Sequence, residues 1–146
     1  MSITLSDQDK NTLRTAAYGA ISLLAAADAT GSPHKIATAG SIALSSATGL
    51  VGHVLAEKQR GADLNGTSVA AIADQVLPAL TQTMGLLEKA DPTEAGNFRS
   101  TVLVAVETAV RARKGEPSPI LTDMTSKITA ALDAAGVATA NSRPAR

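Results

Sequence analysis

Residues 36–56 read IATAGSIALSSATGLVGHVLA, and the fold class turns on how that stretch is interpreted. It holds no Asp, Glu, Lys or Arg, and its only strongly polar side chain is His53. Wound as a helix, Ile36, Gly40, Ala43, Leu44, Ala47, Val51, Val54 and Leu55 fall on one side at i, i+3, i+4 spacing. Ile42, Ser45, Gly49, Gly52 and Ala56 fall on another. A helix that is apolar or small on more than one side, with no charged face, is normally enclosed by other helices. The stretch therefore predicts a buried central helix over 33–60 in an all-α protein. Its length is close to the roughly 20 residues a membrane-spanning helix needs. The many Ser, Thr and Gly residues, His53 and the lack of an aromatic belt favour burial in protein instead.

Signals at both ends frame this helix. Ser32 suits the cap and Pro33 the first helical position. The run Glu57-Lys58-Gln59-Arg60 returns the chain to solvent, and Gly61 ends the helix. Gly49 and Gly52 each cost about 1 kcal/mol relative to Ala in a helix interior, which leaves open whether the helix is continuous or bends or breaks near Thr48. Upstream, Ser6 and Asp9 have the capping-box spacing. The stripe Leu13, Ala17, Ala20, Ile21 and Leu24, widened by Ala16, Leu23 and Ala27, predicts a helix over 7–28.

Downstream, Thr67 or Ser68 caps a helix over 67–90 with the stripe Val69, Ile72, Ala73, Val76, Leu80, Met84 and Leu87. Pro78 lies inside that stripe, and because the apolar period continues past it, a kink is expected. Asp91-Pro92-Thr93-Glu94 combines a capping Asp, Pro at the first position and Glu three residues after the cap. It starts a helix over 92–114 that buries Phe98, Val102, Ala105, Val106, Ala109 and Val110. Ser118-Pro119 opens a fifth helix over 118–135, with Ile120, Leu121, Met124, Ile128, Ala131, Leu132 and Ala135 on its apolar side. Gly136 is the natural stop, and 138–146 is expected to be a mobile tail. No strand-period run and no solenoid-type repeat interrupts the pattern. Five helices on short loops predict a mostly antiparallel bundle forming one domain over 1–146.

Composition limits the function classes. The chain has 146 residues with one Tyr, one Phe and no Trp, so its core must be Ala, Val, Leu and Ile. Such faces allow close helix approach but remove less apolar area per residue than aromatics. Thirteen acidic and thirteen basic side chains give zero formal net charge, which favours neither nucleic acid nor an anionic membrane. It also gives little protection against self-association. There is no Cys, which excludes disulfides, thiolate catalysis and thiolate metal sites. Met1 to Lys10 lacks the pattern of a signal peptide, and a cytoplasmic location is expected.

Candidate chemistry is sparse. His53 and Glu57 share a helix face, but a metal site needs further ligands, and His34 lies about 29 Å away along a continuous helix. No metal and no cofactor is expected. No Gly-x-Ser-x-Gly and no Gly-x-x-x-x-Gly-Lys occurs, so no catalytic residue is assigned. Carboxylate catalysis has no supporting spacing. Arg111, Arg113, Lys114, Lys58 and Arg60 are basic, yet no aromatic accompanies them to stack bases. The 118–135 helix carries Lys127 as its one basic residue, which argues against a helix-turn-helix. From Phe98 to Leu132 the chain resembles, in outline, the helical tellurite-resistance TerB-type domains. Those carry an acidic Asp-Gly turn suited to cations, whereas Arg113-Lys114-Gly115-Glu116-Pro117 is basic on one side. The resemblance therefore brings no functional residue with it.

The sequence thus predicts a helical bundle acting through protein contacts, most simply a homodimer. The contact stripe would come from the central helix or from Val69 to Leu87. The alternative is a small-molecule-binding bundle whose pocket lies where Gly49, Gly52 and the Pro78 kink hold helices apart. Gly49, Gly52, His53 and Glu57 are the candidate ligand or interface residues.

Overall fold

The Ser6 hydroxyl accepts a hydrogen bond from the Asp9 N–H at 3.0 Å, and the Ser6 N–H donates to the Asp9 carboxylate at 3.3 Å. The capping box thus forms as its spacing predicts, and it opens α1 (Asp7–Ala27). The computed structural model describes residues 5–28, 33–56, 68–112 and 119–141. These fold into α1, α2 (Pro33–Ser45), α3 (Gly49–Ala56), α4 (Val69–Ala90), α5 (Pro92–Ala112) and α6 (Pro119–Asn141). Among the described residues there is no strand, and the helices pack as a bundle.

The centre of the bundle is α1, not the 33–60 segment. Leu13, Ala16, Ala17, Gly19, Ala20, Ile21, Leu23, Leu24 and Ala27 are all buried, and α1, like α5, touches every other described helix. Its Ala and Gly positions allow that crowding: a Cβ on Gly19 would stand 2.6 Å from Val76 Cγ2 of α4. By contrast α2 buries Ile36, Gly40 and Leu44 on one side and leaves Ile42 63% exposed on the other. The missing charges that suggested enclosure on all sides instead mark an uncharged surface.

The 33–60 segment breaks near Thr48, which makes six helices among the described residues where the sequence predicts five. At the end of α2, the Ser45 hydroxyl donates to the carbonyls of Ser41 (2.9 Å) and Ile42 (3.0 Å), and the Ser46 hydroxyl to Ile42 (3.3 Å). Hydroxyls that satisfy a helix's last carbonyls offer an alternative to the next turn. The Ser46 and Ala47 N–H groups tighten to the carbonyls three residues back. Gly49 then adopts φ +70, a conformation costly for residues with a Cβ, and α3 begins.

Elsewhere the stripes hold. Ile72, Val76, Leu80, Met84 and Leu87 of α4 are buried, as are Phe98, Val102, Ala105, Val106 and Ala109 of α5. Ser68 caps α4, and the helix is continuous through Pro78. Two expectations for the last helix are corrected. Ile120 is 53% exposed, and the backbone stays helical through Gly136 to Asn141, including 138–141 of the expected tail. One Gly costs a helix only about 1 kcal/mol relative to Ala, too little to stop it alone.

Thr83 on α4 is fully buried, and its hydroxyl has no hydrogen-bond partner among the described residues. Nearby threonines differ: Thr81 donates to the Ala131 carbonyl of α6 at 2.7 Å. Thr83→Val keeps the shape and removes the unmet group, so stability is expected to rise by about 1 kcal/mol. A urea midpoint that rises at constant slope checks this. A lower midpoint would show that the hydroxyl is partnered.

Candidate functional site

Asp91, Glu94 and Asn97 build the corner that holds α3. Asp91 starts α5 as predicted, its carboxylate accepting from the Thr93 N–H at 3.0 Å. Its own N–H donates to the Leu87 carbonyl at 2.6 Å to finish α4. That N–H is therefore taken, and Glu94 cannot complete a capping box with it. The Glu94 carboxylate instead accepts from the Val51 N–H in the first turn of α3 at 3.3 Å. Asn97 Nδ2 donates to the Thr48 carbonyl at 2.8 Å and to Glu94 at 3.3 Å. A negative group at a helix start is also favoured by the helix dipole. At the other end of α3, α1 supplies the partners: Tyr18 donates to the Leu55 carbonyl at 3.1 Å and Arg14 to the Val54 carbonyl at 3.5 Å. Burial raises the Tyr18 pKa above the ordinary phenol value, against the lowering pull of Arg14.

This corner accounts for two of the sequence-predicted residues. A Cβ on Gly49 would stand 3.0 Å from the Glu94 carboxylate, and one on Gly52 would collide with the Ala47 carbonyl. Both glycines serve close packing at the elbow and line neither of the two concavities described below. His53 sits on the exposed face of α3. Glu57 lies outside the described residues. Among the described residues no group of three or more His, Asp and Glu could hold a metal ion. Among the described residues no helix is long and apolar enough to cross a membrane.

Asn97→Ala removes the bonds to Thr48 and Glu94 and is expected to destabilise by about 1 kcal/mol. Amide exchange within α3 should accelerate more than in α1. Uniform acceleration would mean that Asn97 does not hold the elbow.

Two concavities flank α5. The first, of about 220 Å³, lies between α2 and α5, with Ala43, Ala47, Asn97, Thr101 and Val104 in its walls. Its exposed lining residues are Ser46 and Thr48 just after α2, and Ser100 and Val104 on α5; none is charged, and Val104 is 54% exposed. Exposed charges flank them at helical spacing, Lys35 seven residues before Ile42 and Glu107 three after Val104. The second, of about 410 Å³, lies between α5 and α6. Leu103, Val106 and Val110 give its apolar floor, Thr122, Thr125 and Ser126 its α6 wall, and Glu107 and Arg111 its rim. The sequence places a pocket near Gly49, Gly52 and Pro78; the α2–α5 concavity reaches the elbow through Ser46, Ala47 and Thr48, and none of those three predicted residues lines either concavity.

No protein-family model, curated protein or solved structure matches this chain. The reading of function rests on these surfaces alone.

Proposed function

We propose that this protein works through protein contacts made by the outer face of α2 and α5, most simply as a homodimer. The observation that carries this reading is Ile42 and Val104, 63% and 54% exposed on the neighbouring helices α2 and α5, with the uncharged Ser45, Ser46 and Ser100 exposed close to them in sequence. Depletion of charge is the compositional mark of the centre of a protein interface. The other candidate stripe, on α4, is spent on the core through Ile72, Val76, Leu80, Met84 and Leu87. Two-fold dimers are the commonest closed assembly, and a standard interface buries about 800 Å² on each partner. Ser, Thr and Ala side chains let two such helix pairs approach closely, and zero net charge does not oppose it.

Sedimentation equilibrium at micromolar concentration tests the proposal. The expected mass is that of a dimer, and Ile42→Glu with Val104→Glu is expected to give monomer with unchanged helical circular dichroism. Ile120→Glu, on α6, which does not touch α2, should leave the dimer intact. Monomeric wild-type protein, or dimer loss only with Ile120→Glu, contradicts the reading.

A further inference from the structure

We infer that the cleft between α5 and α6 is a binding site for a neutral, mostly apolar small molecule of one or two rings carrying one hydrogen-bonding group. The cleft has a cause in the sequence. Consecutive helices normally close on each other, but here the α6 wall is Thr122, Thr125 and Ser126, too small to fill the space over Leu103, Val106 and Val110. Farther along, the helices are tied by Arg99, whose Nε donates to Asp133 at 2.7 Å and whose second nitrogen donates at 3.3 Å. A two-point guanidinium–carboxylate contact fixes orientation as well as distance, so the pair is pinned there while the cleft stays open.

The volume, about 410 Å³, lies at the lower end of the range for ligand pockets, which selects a compact occupant. The charges at the rim select its class. Arg111 donates to Glu107 at 2.6 Å, so the rim carries no net charge to draw an ion into the cleft. The Thr125 hydroxyl hydrogen is engaged by the Leu121 carbonyl at 3.0 Å, while Thr122 and Ser126 are exposed at the edge, within reach of one polar group on the ligand. An apolar floor with a few polar groups at one side is the usual make-up of a small-molecule site. The site is separate from the α2–α5 face, and neither proposal depends on the other.

N-phenylnaphthylamine, a neutral dye that brightens in apolar surroundings, is the probe, and its sulfonated analogue is the charged control. Saturable binding of the neutral dye is expected, with the sulfonate at least about tenfold weaker. Ser126→Phe or Thr122→Phe, each at an exposed position, should fill the cleft and weaken the neutral dye at least about tenfold with helical content kept. Methyl resonances of Leu103, Val106 and Val110 should shift on titration of the wild type, a readout independent of either variant. Asn11→Ala, at an exposed position on α1, should leave binding unchanged. Absence of saturable binding, preference for the sulfonate, methyl shifts confined to other helices, or loss of binding with Asn11→Ala overturns the assignment.

Discussion

Gly40→Leu is expected to destabilise the protein by more than about 2 kcal/mol, since overpacking a close helix contact forces backbone shifts. A Cβ at Gly40 would stand 2.7 Å from both Cδ1 and Cγ2 of Ile21, which is itself 2% exposed and has nowhere to retreat. The contact is between α1 and α2, and it sets how closely the uncharged segment lies on the central helix. Ile21→Ala in the same chain should recover part of the loss, because the two positions share one space. Urea denaturation of the two single variants and the double gives the coupling. A near-wild-type midpoint for Gly40→Leu would place Gly40 in solvent and remove the packing of α2 on α1.

Gly52→Ala separates the elbow from a continuous helix by the sign of its effect. In an ordinary helix interior, Ala is favoured over Gly by about 1 kcal/mol, so the substitution would stabilise. Here the new Cβ meets the Ala47 carbonyl, a backbone group that cannot swing aside as a side chain does. The elbow would have to open, withdrawing α3 from Glu94 and Asn97. A loss of more than about 2 kcal/mol is expected. A higher thermal midpoint in Gly52→Ala would mean that the segment does not turn at Thr48.

Most of the fold is legible where apolar period and end signals agree. The stripes of α1, α4 and α5 become core, and Ser6, Ser68 and Asp91 cap the helices they precede. The errors fall where the decisive partner is distant in sequence. Glu94 reads as a local capping residue until Asp91 spends its N–H on Leu87, which frees the carboxylate for Val51. Periodicity places Ile42 and Ile120 on apolar sides, but no described helix covers either fully, and coverage is a property of the assembled bundle. The absence of charge in 36–56 suggests burial, yet Thr38, Ile42, Ser45 and Ser46 of that stretch are exposed. The α5–α6 cleft left no mark that a single-helix reading could find, because it arises from small residues on one helix facing larger ones on another.

The two-helix reading of 36–56 supports the rest, since it turns α2 outward and seats α3 in the corner made by α1 and α5. Carbon chemical shifts along that segment test it most directly. Helical values are expected from Ile36 to Leu44 and again from Leu50 to Leu55, with a collapse towards unstructured values at Ser46, Ala47 and Thr48. An unbroken run of helical shifts from Ile36 to Ala56 would contradict the account.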